Sequence, residues 1–337
     1  MSRSFYDGDA DLSVLEGKII AVVGYGIQGR AQALNLRDSG LNVIIGLRPE
    51  GESASAAGKD GFEVVSVADA ARRADLIMLL IPDEVQGDVY ANEIAPNLAA
   101  GKTLEFAHGF NVHYGRIKPP AGVDVIMVAP KGPGAMVRST YLHGFGTPAL
   151  IAVERDASGR ALGTALAIAK GIGATRAGVI LTTFREETET DNFGEQVVLC
   201  GGVAELIGRA FRLLVREGYQ PEVAYFEVLH ELKLIVDLIQ SGGIENMWEN
   251  VSNTAEYGGR TRGPNVIDDH VEASMKKILQ DIRNGDFAEE WMQEYYREMP
   301  TLRKMREDAR DEQIEEVGRR LRKLFLKADS AENGEHR

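Results

Sequence analysis

Ile19-Ile20-Ala21-Val22-Val23 runs directly into Gly24-Tyr25-Gly26-Ile27-Gln28-Gly29, and an Ala- and Leu-rich stretch continues from Arg30 to Asp38. Five apolar, mostly β-branched residues predict a strand buried on both faces. The stretch after the glycines predicts a helix. A GxGxxG turn between a strand and a helix is suited to a dinucleotide: Gly24 permits the tight turn, Gly26 lets backbone approach a pyrophosphate, and Gly29 lets helix and strand pack closely. Unbonded amides and the dipole at the helix start favour the anion.

Outward from this turn, apolar β-rich runs alternate with helical patterns. The runs are Asn42–Gly46, Leu76–Ile81, Thr103–Phe106, Asp124–Val128 and Pro148–Val153, with Ala174–Ile180 as one further candidate. Arg30–Asp38, Val67–Arg73 and Ala161–Ile172 read as helices between them. This alternation predicts an α/β Rossmann-like domain with a mostly parallel sheet, over residues 1–182. Beyond it, Glu186–Glu217 and Glu222–Gln240 each read as one unbroken helix, followed by His270–Asn284, Ala288–Met299 and Met305–Phe325. An all-α domain is therefore expected over 183–328, and a polar, disordered tail over 329–337.

At 337 residues the chain exceeds one ordinary core, in agreement with two domains. A net charge of −13 argues against a nonspecific grip on nucleic acid. The single cysteine, Cys200, excludes an intrachain disulfide, and in the apolar run Val197-Val198-Leu199-Cys200 it reads as a small buried hydrophobe. The acidic N-terminus does not read as a signal peptide, and no run approaches a membrane span. A cytoplasmic protein is expected.

At the end of the second strand, Leu47-Arg48-Pro49-Glu50-Gly51-Glu52-Ser53 bears on cofactor choice. Arg48 and Ser53 could hold the 2′-phosphate of NADPH. Glu50 and Glu52 would repel it and could accept from ribose hydroxyls instead, so NADH or dual use stays open.

Carboxylates carry the strongest chemical signal. Asp191 and Glu195 are four apart, as are Glu227 and Glu231, so each pair shares a helix face. Apolar neighbours (Phe193, Val197, Val198, Leu229, Leu232 and Ile235) predict that both helices are largely buried. Buried like charges are costly unless a cation compensates, and all-oxygen ligands point to Mg²⁺ or Mn²⁺. Two pairs could hold two ions. Solvated helix faces remain the competing reading, and Glu187 and Glu189 read as such surface residues.

Taken together, GYGIQG at 24–29, PDEVQ at 82–86, EFAHGFN at 105–111, APKGPG at 129–134, ETETDNFGEQ at 187–196, FEVLHELKLIVDLI at 226–239 and SNTAEYG at 252–258 resemble the ketol-acid reductoisomerase family, in its shorter form. They span nearly the whole chain in family order. The resemblance implies that Tyr25, Ile27, Gln28, Arg48, Ser53, Asp83, Glu84, Val85, Gln86 and Gly134 join the glycines in binding cofactor. It implies two Mg²⁺ on Asp191, Glu195, Glu227 and Glu231, catalytic roles for His108, Lys131 and Glu231, and a substrate contact at Ser252. It also implies a knotted helical domain, and a dimer or larger assembly of dimers in which a second subunit completes the site. Family members often carry Ser at the positions of Ile27 and Gly51, Trp near Ala54, and Leu at Asn192.

The implied reaction needs these groups. In a 2-hydroxy-2-alkyl-3-oxo acid, the alkyl group moves from C2 to C3 once the hydroxyl is deprotonated and the ketone polarised. The resulting 3-hydroxy-2-oxo acid then accepts hydride. Two other readings compete: a hydroxyacid-type dehydrogenase, which would have no use for four metal carboxylates, and a non-catalytic nucleotide sensor, which would bind cofactor without turnover.

Overall fold

The computed structural model describes residues 3–332, and the chain divides into two compact units between Asp191 and Asn192. The first unit is built on nine strands: β1 Ser4–Phe5, β2 Ile19–Val23, β3 Asn42–Gly46, β4 Glu63–Val65, β5 Leu76–Leu79, β6 Thr103–Phe106, β7 Asp124–Pro130, β8 Ala149–Arg155 and β9 Val179–Leu181. They form one sheet in the order β1-β9-β8-β7-β6-β5-β2-β3-β4. From β4 to β7 every neighbour is parallel, while β8 runs antiparallel to β7 and β1 antiparallel to β9. The strand order reverses between β2 and β5, the crevice where open α/β sheets bind ligands.

Helices α1 Ile27–Asp38, α2 Glu52–Lys59, α3 Val67–Arg73, α4 Asp83–Val89, α5 Phe110–His113, α6 Gly134–Leu142, α7 Ala161–Gly171 and α8 Phe184–Gly194 complete this unit and lead out of it. One core lies between the sheet and α1 with α7: Val22, Met78, Ile126 and Val128 meet Ala33, Leu36, Ala165 and Ile168. The opposite face packs Leu104, Phe106 and Met127 against Ala70, Ala71, Ile94 and Phe184. Because Leu104 and Phe106 both face the second core, Glu105 between them faces the first.

Two strands were not legible in the sequence. Ser4-Phe5 is too short to show a period, and β4 is a three-residue edge strand bearing Glu63. The Ala174–Ile180 candidate forms a 3₁₀ turn at Ala174–Arg176, and its strand falls at Val179–Leu181.

The second unit is helical: α9 Gly201–Arg216, α10 Pro221–Tyr225, α11 Leu232–Glu249, α12 Asn253–Val266, α13 Asp269–Asn284, α14 Asp286–Tyr296, α15 Pro300–Arg310 and α16 Gln313–Glu332. Its core gathers Phe211, Ala224, Tyr225, Ile314, Val317 and Leu321. The two expected unbroken helices are interrupted. A π-helical turn at Glu195–Leu199 separates α8 from α9, and another at Phe226–His230 separates α10 from α11. α11 also bends at Gly243, whose φ of 89° only glycine adopts readily. α12 was not anticipated, because Gly258, Gly259, Gly263 and Pro264 read as helix breakers. The tail expected to be disordered, 329–337, opens on the end of α16, and its residues 333–337 lie outside the described residues.

The expected burial of the carboxylate helices is also corrected. Val198 is 55% exposed and Leu234 is 54% exposed, and Cys200 is exposed rather than buried. Other apolar residues of these helices are open as well: α11 exposes Val236 and Ile244, and α12 exposes Tyr257 and Val266. Apolar composition alone did not bury these helices, because among the described residues none covers these faces.

Candidate functional site

Three chain segments converge in the first unit. β6 delivers Ala107-His108-Gly109, β7 delivers Lys131-Gly132-Pro133, and α8 presents Glu187 and Asp191 one turn apart. His108 Nδ1 lies 3.0 Å from Glu187 Oε2 and 3.6 Å from Asp191 Oδ2. Lys131 Nζ donates to Glu187 Oε1 and Asp191 Oδ1, both at 2.8 Å. The Gly109 amide donates to Glu187 Oε2 at 3.0 Å. Gly109 must be glycine for this approach, since a Cβ there would overlap Thr188 Oγ1 and lie 2.8 Å from the Phe184 carbonyl oxygen.

Glu187 is thus the centre of the cluster, and its reading as a surface residue is overturned: it is 1% exposed. Glu189 is also buried, with its carboxylate 3.2 Å from Arg185 Nε and 3.8 Å from His113 Nε2. The acidic run around them resembled a solvated face. The available signal was spacing, since Glu187, Asp191 and Glu195 continue one helical stripe at four-residue steps.

Opposite charges set the protonation states. Burial alone would lower the His108 pKa, but the hydrogen bond and charge of Glu187, with Asp83 and Asp191, outweigh it and push the imidazole up to about 9. Lys131 is likewise raised, burial being overcome by Glu187 and Asp191. Burial would raise Glu187, yet His108 and Lys131 hold it below the usual carboxylate range. Asp83, in the first turn of α4, is pushed up to about 6 by burial, against the opposing charge of His108.

The α4 turn is held from inside. Gln86 Nε2 donates to the Ile81 carbonyl at 2.9 Å and to Asp83 Oδ1 at 3.2 Å, and Asn111 Nδ2 donates to the Asp83 carbonyl at 2.9 Å. Asp83, Glu84, Val85 and Gln86 therefore share a turn fastened to the loop that carries His108.

His108, Glu187 and Asp191 place potential metal-ligating atoms within 4.8 Å of one another. Their chemistry differs. Both Glu187 oxygens are engaged by cations or an amide, so this residue organises its neighbours. Asp191 keeps 29% side-chain exposure, and its Oδ2 has only the longer contact with His108, so it can turn an oxygen to a hard cation. Glu195, Glu227 and Glu231 lie in the second unit and are exposed; Glu195 opens the first π turn, Glu227 lies in the second, and Glu231 follows it. π turns occur often at functional sites. Ser252 caps α12, accepting from the Ala255 amide at 3.2 Å.

At the glycine turn, each glycine has its own reason. Gly24, at φ 106°, would bring a Cβ within 2.6 Å of the Leu80 carbonyl oxygen. A Cβ on Gly29 would overlap the Gly24 carbonyl, and one on Gly134 would overlap the Ile27 carbonyl. Gly26 faces open space. That gap, with no side chain capping α1, fits a pyrophosphate. Tyr25 turns its side chain inward and donates to Asp60 at 2.8 Å, while Gln28 Nε2 donates to the Gly132 carbonyl at 2.9 Å. Ile27 is 75% exposed. Arg48 and Ser53 line a recess of about 320 Å³ with Glu50 and Glu52.

A contrast follows. Gly29→Ala should cost about 1–3 kcal/mol of stability by overpacking, read as a lower unfolding midpoint. Gly26→Ala should leave that midpoint in place and weaken cofactor binding, read by fluorescence titration. Equal effects on both readouts would refute this division of labour.

Residues 14–178 match the family model described as acetohydroxy acid isomeroreductase, NADPH-binding domain, and residues 184–327 match ketol-acid reductoisomerase, C-terminal domain. The chain is 59% identical over 324 residues to a ketol-acid reductoisomerase (NADP(+)) of Methanocaldococcus jannaschii, covering 96% of this chain and 98% of that one. It is 60% identical over 326 residues to the protein of the same name from Pyrobaculum aerophilum, covering 97% and 99%. A solved structure of an NADH-preferring ketol-acid reductoisomerase from an uncultured archean superposes with a TM-score of 0.93 at 50% identity, covering 96% of this chain and 99% of that chain.

Proposed function

The chain belongs to the ketol-acid reductoisomerase family and is an NAD(P)H-dependent oxidoreductase, and from that premise we propose that it converts 2-acetolactate and 2-aceto-2-hydroxybutyrate into 2,3-dihydroxy-3-methyl acids, a step of valine and isoleucine biosynthesis. The observation that carries this reading is the meeting of His108, Lys131, Glu187 and Asp191 at the ends of β6 and β7, on the edge of the dinucleotide crevice.

Two Mg²⁺ ions, held by Asp191, Glu195, Glu227 and Glu231, would polarise the C3 ketone and acidify the C2 hydroxyl. The hard oxygen donors and the accessible Asp191 carboxylate support that assignment. This chain's other groups handle position and protons. Lys131, fixed by two carboxylates, presents its ammonium to substrate oxygens. His108 gives its Nδ1 to Glu187, which leaves Nε2 to exchange a proton. Glu231 is the proposed partner in deprotonating the hydroxyl, and Ser252 the proposed substrate contact. A nicotinamide bound in the crevice would supply the hydride for the 2-oxo group, and this donor set would supply the proton.

NADPH is the proposed reductant, on the strength of Arg48 and Ser53 and of the relatives' names. Glu50 and Glu52 in the same recess favour some use of NADH, which a neighbouring structure's protein prefers. Replacing both by Gln should raise the NADPH-to-NADH ratio of kcat/KM by roughly tenfold, or about 1.4 kcal/mol. An unchanged ratio would show that the acidic pair lies outside cofactor selection. The open apolar faces of α11 and α12 support self-association as a dimer or assembly of dimers, and a knotted helical domain is part of the same proposal. Among the described residues, no helix is long and apolar enough to cross a membrane. A cytoplasmic location is proposed from the biosynthetic role.

The direct test follows NADPH and NADH oxidation with 2-acetolactate, with and without Mg²⁺. Cofactor binding without turnover of either acetohydroxy acid would overturn the proposal.

A further inference from the structure

Two buried side-chain oxygens on the α1–α7 side of the sheet lack a hydrogen-bond partner: Glu105 Oε2 and Gln32 Oε1. Both residues are 0% exposed. The other Glu105 oxygen accepts from the Val128 amide at 3.2 Å. An ionised carboxylate in this setting would be buried without a cation, at high cost. Two oxygens that only accept also gain nothing from each other. A proton on Glu105 changes that, because a carboxylic acid donates and an amide oxygen accepts.

The placement supports such a pair. Glu105 faces the layer that contains α1, and Gln28, Gln32 and Asn35, at four- and three-residue steps, form a polar stripe on that helix. The stripe meets the segments that follow β7 and α7: Gln28 Nε2 reaches the carbonyl of Gly132, just after β7, and Asn35 Nδ2 reaches those of Val137 in α6 and Ile172 at the end of α7. Gln32 Nε2 donates to Gln28 Oε1 at 3.3 Å, which leaves its own oxygen as the acceptor.

We propose that Glu105 is held as a neutral carboxylic acid that donates its proton to the amide oxygen of Gln32, making it a positioning residue that ties the strand carrying His108 to the glycine turn and the Lys131 loop. The chain of bonds then runs from β6 through Gln32 and Gln28 to Gly132. Burial pushes the Glu105 carboxyl up to about 8, opposed by the Val128 amide. Among the described residues, the elements packed on this face bring no titratable group to it; Arg138 of α6 donates to Asn35 Oδ1 at 2.8 Å, one turn further along the stripe. β5 offers Met78, β7 offers Ile126 and Val128, α1 offers the stripe, and α7 offers Thr164 and Ile168. The charged groups of these helices are engaged elsewhere: Arg30 and Arg37 on Asp60, Asp38 on Arg138, and Lys170 on the Asp7 and Ala10 carbonyls. The catalytic consequence rests on the active-site reading given above, whereas the protonation state does not.

The test compares the full chain with Glu105→Gln by infrared spectroscopy after isotopic labelling of glutamate. A protonated-carboxyl band is expected at pH 7, absent in the variant and fading as pH rises through about 8. Since the folded-state value lies above the ordinary 4.5, the favourable contribution of Glu105 is present below that value and is lost as pH rises to about 8. The unfolding midpoint of Glu105→Gln should therefore rise relative to the parent across that window and level off above it. Glu105→Gln, which keeps a donor, should retain kcat within a few-fold. Glu105→Leu and Gln32→Leu should each lower kcat about tenfold, and the double variant should fall no further than either. Absence of the band at neutral pH, a flat midpoint difference, or multiplicative losses in the double variant would each overturn the proposal. The band and midpoint stand even if a leucine variant fails to fold or the substrate assignment is wrong.

Discussion

Glu187→Gln is expected to lower turnover of acetolactate by about a hundred- to a thousandfold while leaving the chain folded. The substitution keeps the side chain's shape and removes its charge. Three groups that share the carboxylate are then left with one neutral amide oxygen between them: His108 Nδ1 at 3.0 Å, the Gly109 amide at 3.0 Å and Lys131 Nζ at 2.8 Å in the parent. Lys131 still has Asp191, but His108 loses the partner that sets its tautomer and supplies most of the charge holding its proton. A second readout separates this from simple loosening. In the metal-free protein His108 sits at about 9, above its ordinary 6.5, so its favourable contribution is present below 6.5 and lost as pH rises through 9. Stability of the parent should decline across that window, and the variant should decline less. Unfolding midpoints measured at several pH values decide this. Full turnover in the variant, with an unchanged pH profile, would reduce Glu187 to a packing residue.

Removing divalent cations should have a still larger effect, lowering acetolactate turnover about a thousandfold or more, several kcal/mol at about 1.4 kcal/mol per factor of ten. Addition of Mg²⁺ should restore it. Asp191→Asn should reproduce the loss in the presence of Mg²⁺, because an amide oxygen is a weaker ligand for a hard cation. Binding can be read independently of rate: Mg²⁺ should raise the unfolding midpoint of the parent and not of the variant. Supplying the isomerised 3-hydroxy-2-oxo acid separates the two chemical steps, since its reduction no longer requires alkyl migration. Turnover of acetolactate that survives chelation would instead favour an ordinary two-domain dehydrogenase.

Particular residues show what was readable from the chain alone. The run from Ile19 to Gly29 specifies strand, turn and helix through local rules, because a buried strand, a glycine-only φ and an N-terminal helix start each depend on near neighbours. The alternation of apolar runs identified the parallel sheet for the same reason. The motifs around His108 and Lys131 were visible as glycine-rich loops after strands. Glu187 was not, because its burial depends on Gly109 and Lys131, which lie far away in sequence. The interruptions of the two long helices were equally hidden: a π turn adds one residue without changing composition, so the apolar period around Glu195 and Glu227 looks unbroken.

Local chemistry thus determined the architecture of the first unit, the dinucleotide turn and the acidic positions of the helical half. Only the tertiary structure decided which carboxylate sits at the centre of the charge cluster, and which apolar helix faces remain uncovered. The physical reason is that burial and pairing are set by what packs opposite a residue. A glutamate in an acidic helix has the same local sequence whether it meets water or, as Glu187 does, an imidazole, an ammonium and a backbone amide.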